Sequence, residues 1–172
     1  MVDIRELLKE RILIIDGSMG VLLQSRKLTE ADYRGEQFKD HPKDVRNNPD
    51  LLNLTQPEVV EAVHQAYLDA GADIIETNTF TAASISQADY GLEAAAYDMN
   101  LEGARIARRA VDKAIQRDPS RPRFVAGALG PTTKTLTLAL NPDNPAYREM
   151  KFDQFVESYY EQVSGLMEGG VD

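Results

Sequence analysis

The amino-acid sequence predicts an α/β fold built from parallel βα units. Three short apolar runs lack the alternation of a half-exposed strand and are typical of strands buried on both faces: Ile12–Ile15, Ala72–Ile75 and Phe124–Ala128. Segments with apolar residues at helical spacing lie between and after these runs. Because parallel strands need long crossover connections, usually helices, this order favours one parallel sheet.

The predicted helices follow from periodicity and from their end signals. Helices are predicted over residues 3–10, 21–24, 92–116 and 152–168, and over a segment that begins in the capping-box pattern Thr55–Glu58 and stops at Gly71. The last helix is expected to bury Phe152, Phe155, Val156, Tyr159, Val163 and Leu166, and the helix before Gly71 to bury Val59, Val63, Ala66 and Ala70. The polar segment 25–54 is expected to be irregular, and a connection this long is usually a lid or a site-lining loop.

A weak internal repeat relates two parts of the chain. Tyr67–Asp73 and Leu166–Asp172 share a helix end, a glycine and an aspartate. A predicted strand follows Asp73, whereas the sequence stops at Asp172. We therefore expect this chain to be a fragment that stops where a fourth strand would begin.

Two parallel architectures are compatible with this pattern. An open doubly wound sheet is one, and an incomplete (β/α)8 barrel is the other, since a whole barrel needs about 250 residues. Each predicted strand ends in a polar loop rich in glycine or threonine, as do the strands that build one site at the C-terminal face of a barrel. We therefore predict the TIM-barrel family, with one incomplete domain over residues 1–172 covering roughly the first three βα units and the helix before strand 4.

Composition excludes several classes of function. The formal net charge of −9 disfavours nonspecific nucleic-acid binding, which needs clustered Lys and Arg. No apolar run approaches the roughly 20 residues that cross a membrane, and the charged N-terminal segment is unlike a signal peptide. We therefore expect a cytoplasmic protein without nucleic-acid or membrane partners. The absence of cysteine excludes disulfides and thiolate metal sites within this chain.

The most informative stretch is Ile12–Gly20, in which an acid and two glycines follow the first strand. Gly17 and Gly20 allow a sharp turn that brings backbone N–H groups close to a ligand, while Asp16 lies where α/β folds place their binding chemistry. The alternative is a tight strand–helix turn in which Asp16 caps the helix. Both interpretations remain open at this point.

Polar residues after the other strands are expected to meet Asp16 at one rim. They are Glu76, Thr77, Asn78, Thr79 and Thr132. Carboxylates beside backbone N–H groups suit a zwitterion, although Asp16 and Glu76 could also work as acid and base, and Glu76 and Asn78 could simply cap the loop. His41, His64 and Lys134 are interpreted as packing or solvated residues.

Four sequence blocks together resemble a known family. They are Ile14–Gly20, Pro49–Pro57, Gly71–Phe80 and Gly127–Thr132. In this order they are similar to the N-terminal homocysteine-binding domain of cobalamin-dependent methionine synthase. The Glu-Thr-Asn-Thr-Phe and Asn-Leu-Thr-Gln-Pro forms favour methionine synthase over betaine–homocysteine methyltransferase.

This resemblance implies a barrel in which zinc converts the thiol of homocysteine to a thiolate, which attacks the methyl group of methylcobalamin. Folate-binding and cobalamin-binding domains then recharge the cobalamin from methyltetrahydrofolate. The implied substrate-binding residues are Asp16, Gly17, Ser18, Met19, Glu76, Thr77 and Asn78.

The sequence also departs from the family pattern. The family's zinc ligands are three cysteines in the second half of the barrel, and its fourth-strand acid also lies beyond Asp172. We therefore expect neither zinc nor cobalamin on this chain alone, and no methyltransferase activity. The alternative is a non-catalytic half-barrel that binds a small amino acid or self-associates.

Overall fold

The computed structural model describes residues 3–136 and 143–172. Its helices are α1 (Ile4–Glu10), α2 (Met19–Ser25), α3 (Glu30–Arg34), α4 (Leu52–Thr55), α5 (Pro57–Ala70), α6 (Ser84–Gln87), α7 (Ala96–Arg117) and α8 (Phe152–Gly169). Two 3₁₀ turns cover Pro49–Leu51 and Glu93–Ala95, and the strands are β1 (Ile74–Glu76) and β2 (Phe124–Ala126). The segment 25–54 is therefore less irregular than predicted. None of the described helices is long and apolar enough to span a membrane.

The strands are parallel, as predicted. In the register of β1 and β2, Ile74 lies opposite Phe124 and Glu76 opposite Ala126. The first predicted strand joins the other side of β1 through a parallel bridge between Ile15 and Ile74. The backbone N–H of Asp16 donates to the Ile74 carbonyl at 2.9 Å, and the Asp16 carboxylate accepts the N–H of Glu76 at the end of β1.

The first predicted strand is not buried on both faces, and the prediction was wrong there. Ile12 is 83% exposed and Ile14 is 55% exposed. A parallel strand is buried only where other elements cover both of its faces. The neighbouring helix α1 has no buried residue, so it does not cover this segment.

Helix α5 begins and faces differently from the prediction. Its first residue is Pro57, and the hydroxyl of Thr55 donates to the carbonyl of Leu51, directly before α4, so Thr55 does not cap α5. The buried residues of α5 are Val60, Val63, His64 and Leu68. Val63 is buried as predicted, whereas the other buried positions are displaced by about one residue from the predicted stripe, because α4 ends at Thr55 and packs against α5.

Helix α8 buries Leu166 as predicted, but most of its buried face differs from the predicted one. Its buried residues are Ser158, Gln162, Gly165, Leu166 and Gly169, whereas Phe152, Val156, Tyr160, Val163 and Met167 are exposed. The cause is close packing against α7, since a Cβ on Gly165 would lie 2.9 Å from the carbonyl oxygen of Tyr97. Small residues therefore form the contact between the two helices, and the larger apolar residues point away from it.

The core lies around α5 and α7. One cluster of buried side chains includes Leu51, Leu52, Val60 and Met99, and a second joins the strands to α7 through Ile75, Val125, Ala107 and Val111. His64 is fully buried in this region, as the packing interpretation predicted, and neither ring nitrogen has a partner among the described residues. Burial lowers the pKa of His64 to about 4, so its ring is neutral at pH 7.

The internal repeat appears in the structure as the same helix C-terminus, a left-handed glycine followed by a bonded aspartate, formed twice. Helices α5 and α8 are both followed by a left-handed glycine, Gly71 at φ 108° and Gly170 at φ 96°. The carboxylate of Asp73 then accepts the backbone N–H of Ile14 at 2.9 Å, and that of Asp172 accepts the N–H of Val125 at 2.8 Å. Each aspartate therefore fastens the end of a helical unit to the preceding strand region.

Asp73 also neutralises a group of arginines at the N-terminal end of β1. Its carboxylate is 1% exposed and receives two bonds from Arg11, at 2.9 and 3.0 Å. Arg123 and Arg121 lie 3.3 and 3.4 Å away. The paired guanidinium of Arg11 lowers the pKa of Asp73 to about 2. This buried ion cluster joins the segment before Ile12, the start of β1 and the segment before β2.

We expect Asp73→Asn to lower the free energy of unfolding by about 3 kcal/mol at pH 7, because it removes one partner of a buried ion pair. The carboxyl pKa falls on folding from 3.8 to about 2, so its stabilisation is present above pH 4 and is lost as the pH falls toward 2. Urea unfolding of both proteins should therefore give a smaller difference at pH 3 than at pH 7.

The matched control is Asp69→Asn, which removes an exposed pair with Arg117. It should change the free energy of unfolding by less than about 0.5 kcal/mol. Equal effects of the two substitutions at pH 7 would contradict the assignment of Asp73 as the buried anchor.

Candidate functional site

A cavity of about 420 Å³ lies at the carboxyl ends of the strands. Four chain segments line it, and their residues are Asp16–Gly20, Pro49–Asp50, Glu76–Asn78 with Phe80–Thr81, and Ala128. All seven residues predicted as substrate-binding are among them: Asp16, Gly17, Ser18, Met19, Glu76, Thr77 and Asn78. Thr79 and Thr132, which were expected at the same rim, are not part of the lining.

Asp16 is the acid that joins two of these segments. Its Oδ2 accepts the backbone N–H of Glu76 at 3.1 Å, while its Oδ1 is buried and has no hydrogen-bond partner in the described protein. Burial raises the pKa of Asp16 to about 6, although the bond from Glu76 opposes this rise. At pH 7 Asp16 is therefore mainly ionised, and one of its oxygens has no donor among the described residues.

The turn after Asp16 is held from both of its ends. The side chain of Ser18 accepts the backbone N–H of Val21 at 3.3 Å, so Ser18 caps α2 and Asp16 does not. Tyr67 on α5 donates its hydroxyl to the Ser18 carbonyl at 3.2 Å. A Cβ on Gly17 would lie 3.2 Å from the same hydroxyl, so the turn passes close to Tyr67.

The segment after β1 is fixed to the segment after β2 by two threonines. The hydroxyl of Thr77 accepts the backbone N–H of Ala128 at 2.9 Å, and the hydroxyl of Thr79 donates to the Ala128 carbonyl at 2.9 Å. The two hydroxyls are 2.6 Å apart. Thr79 is completely buried, so it supports the lining from behind.

Asn78 and Asn53 form a buried pair that holds the other side of this segment. Asn78 Nδ2 donates to Asn53 Oδ1 at 3.1 Å and to the Pro49 carbonyl at 2.7 Å. In return, Asn53 Nδ2 donates to the carbonyls of Asn78 and Met99 at 2.7 and 2.9 Å. A Cβ on Gly103 of α7 would lie 2.7 Å from Asn53 Nδ2, so glycine there makes room for the pair.

Asp50 lines the cavity but was missed by the sequence reasoning. Its Oδ2 accepts the backbone N–H of Thr81 at 3.1 Å and also the Thr81 hydroxyl. Burial raises the pKa of Asp50 to about 6, against the lowering effect of these bonds. The only signal in the sequence was an acid directly before the apolar pair Leu51 and Leu52, inside a block already used for the family resemblance.

The described lining of the cavity has three carboxylates, from Asp16, Asp50 and Glu76, and contains neither lysine nor arginine. A cavity with this charge attracts a cationic group. Lys134 lies elsewhere, near Glu149, and His41 contacts the Tyr90 carbonyl. The interpretation of these two residues as outside the site stands.

Comparison with known proteins identifies the family. The homocysteine S-methyltransferase family matches residues 13–172. The chain belongs to this family.

Solved structures of the homocysteine methyltransferase MmuM from Escherichia coli have the same fold. The metallated form matches with a TM-score of 0.69 and 24% identity, and the oxidized form with 0.70 and 23%. The apo form matches with a TM-score of 0.63 and 21% identity. Each match covers 98% of this chain and 50–54% of the other, so the chain spans about half the length of these homocysteine methyltransferases.

The residues of this family member do not fit the expected zinc site. Its sequence contains no cysteine. In residues 3–136 and 143–172, no three His, Cys, Asp or Glu side chains are grouped so that they could hold a metal ion.

We expect Asn53→Ala to lower the free energy of unfolding by about 2–4 kcal/mol, because it leaves buried groups of Asn78 and Met99 without partners. Gln116→Ala on the exposed side of α7 is the control and should change it by less than about 0.5 kcal/mol. Denaturant unfolding of the three proteins measures this, and equal stabilities would contradict the role given to the asparagine pair.

Proposed function

We propose that this chain binds the amino-acid end of homocysteine as part of a homocysteine methyltransferase. The observation that best supports the proposal is that all seven residues implied by the resemblance line a single anionic cavity. Family membership over residues 13–172 supplies the substrate class.

Homocysteine is a zwitterion, and its two charged ends need different partners. The ammonium group is assigned to Asp16, since Oδ1 is buried without a protein partner and an ionised acceptor makes a strong bond to a charged donor. The carboxylate is assigned to the turn Gly17–Met19, where backbone N–H groups are the available donors. Thr77, Asn78 and Glu76 form the facing side.

The finer assignment is methionine synthase. Its support is the pairing of the two diagnostic blocks, because Asn53 of Asn-Leu-Thr-Gln-Pro bonds Asn78 of Glu-Thr-Asn-Thr-Phe. In this proposal zinc, cobalamin and the folate-binding domain belong to parts of the protein other than the residues described here. The chain itself binds and orients homocysteine and does not transfer a methyl group.

For the architecture, we propose the first three βα units of a TIM barrel, within one domain that residues 1–172 cover only in part. The order of the parallel segments supports this, since Ile15, β1 and β2 are neighbours in chain order. The repeated helix C-terminus at Gly71 and Gly170 supports it further.

A second candidate function is self-association of a non-catalytic half-barrel. The exposed apolar side chains of Ile12 and Ile14 and of the outer face of α8 favour it. Sedimentation velocity distinguishes the two functions. A monomer that binds homocysteine supports the first, and a stable oligomer indifferent to homocysteine supports the second.

The direct test is titration calorimetry of the purified protein with L-homocysteine between pH 7.5 and pH 5. We expect binding at pH 7.5 and at least about tenfold weaker binding at pH 5. The pKa of Asp16 is about 6, so protonation below that value removes the charge that faces the ammonium group, which stays protonated over this range.

Asp16→Asn should weaken binding at pH 7.5 by about tenfold or more. The control is Asp112→Asn, whose exposed carboxylate lies outside the cavity and pairs with Arg108, and it should bind like the wild type. A folded wild-type protein with no heat of binding would refute the proposed function.

A further inference from the structure

Asp50 is one of the most buried charged groups of the described chain, although it belongs to the lining of the cavity. Its side chain is buried, with 1% of the residue exposed, and it follows Pro49 in the 3₁₀ turn Pro49–Leu51. Burying a carboxylate without full hydrogen bonding is costly. The burial of this carboxylate therefore needs a structural or functional explanation.

The two oxygens of Asp50 are used differently. Oδ2 receives both donors of Thr81, the backbone N–H and the hydroxyl. Oδ1 is buried and has no hydrogen-bond partner in the described protein. The bonds from Thr81 are sufficient to fix the loop after β1, so they explain Oδ2 and leave Oδ1 unexplained.

The surroundings of Asp50 are rigid. The Thr81 carbonyl accepts Gln87 Nε2 at 3.1 Å, and Asn48 Nδ2 donates to Gln87 Oε1 at 2.7 Å. The neighbouring Pro49 carbonyl accepts Asn78 Nδ2. These buried bonds hold the carboxylate in one place from both sides, which is how a binding group is preorganised.

Asp16 shows the same pattern within the same cavity. Its Oδ2 is occupied by the N–H of Glu76, and its Oδ1 is buried without a protein partner. Thus two acids from separate segments each keep one unpaired oxygen. The described lining contains no lysine or arginine that could pair with them.

We propose that Asp50 is a specificity-determining residue whose Oδ1, together with Asp16 Oδ1, receives the primary ammonium group of the ligand. An ammonium group has three N–H donors, so it can satisfy two carboxylate oxygens at once. The inference rests on the proposed function and deepens it. Its consequence is that the cavity rejects thiols of the same length that lack the ammonium group, because two buried carboxylates would then stay unpaired.

The test compares two ligands that differ only in this group, L-homocysteine and 4-mercaptobutanoate. At pH 7.5, calorimetry should show that 4-mercaptobutanoate binds the wild type at least about tenfold more weakly than L-homocysteine does. In Asp50→Asn, L-homocysteine should bind about tenfold more weakly than to the wild type, whereas 4-mercaptobutanoate should bind within about twofold of its wild-type affinity. The preference for homocysteine therefore shrinks.

Asn suits this test because its amide oxygen can still accept both donors of Thr81. The matched control is Asp112→Asn, which also neutralises a carboxylate but lies outside the cavity, and it should leave the ratio of the two affinities unchanged. If Asp50→Asn does not give a cooperative thermal melt, Asp50→Ser gives the same comparison with a smaller uncharged side chain.

The possible failures are distinguishable. A wild-type protein that binds neither ligand refutes the proposed function, and the role of Asp50 with it. A wild type that prefers homocysteine, together with an Asp50→Asn variant that keeps the same preference, refutes the role of Asp50 alone. Equal weakening of both ligands by Asp50→Asn would also overturn it, since that result indicates a purely structural role, and so would an equal loss of the preference in Asp112→Asn.

Discussion

The candidate site depends on how the buried segment after β1 satisfies its polar groups once the strand ladder ends. Thr77, Asn78 and Thr79 are almost fully buried, and buried polar groups are costly unless they are hydrogen-bonded. The partners come from two directions, Ala128 after β2 and Asn53 in α4. Because both sets of bonds are needed at once, the three segments can meet in only one arrangement, and the cavity lies where they meet.

The charge of the cavity follows from that arrangement. Asp16 and Asp50 each use one oxygen to fix a backbone segment, so each has a structural role and an unpaired oxygen. At the N-terminal end of β1 the excess charge is positive, since three arginines surround the carboxylate of Asp73. The ion cluster at the N-terminal end stabilises the sheet, and the two acids lie at the carboxyl end, where parallel α/β folds place their binding sites.

The sequence predicted those parts of the site that follow directly from strand ends. Asp16 and Glu76–Asn78 were predictable because apolar runs precede them and the carboxyl ends of parallel strands meet. Asp50 was not, since its position depends on the packing of Asn48 and Thr81, which no local pattern encodes.

The exposed stripe of α8 was mispredicted for a related reason. Periodicity finds an apolar face, but the close contact at Gly165 decided which face packs on α7. The proposed roles of the site residues themselves remain predictions.

The most direct test of the account is a crystal structure of the protein with L-homocysteine at pH 7.5. We expect the ligand to occupy the cavity between Asp16 and Asn78, with its ammonium nitrogen within about 3.2 Å of Asp16 Oδ1 and its carboxylate toward the turn at Gly17. Homocysteine bound outside the cavity, or bound within it with the ammonium group turned away from Asp16, would contradict the account.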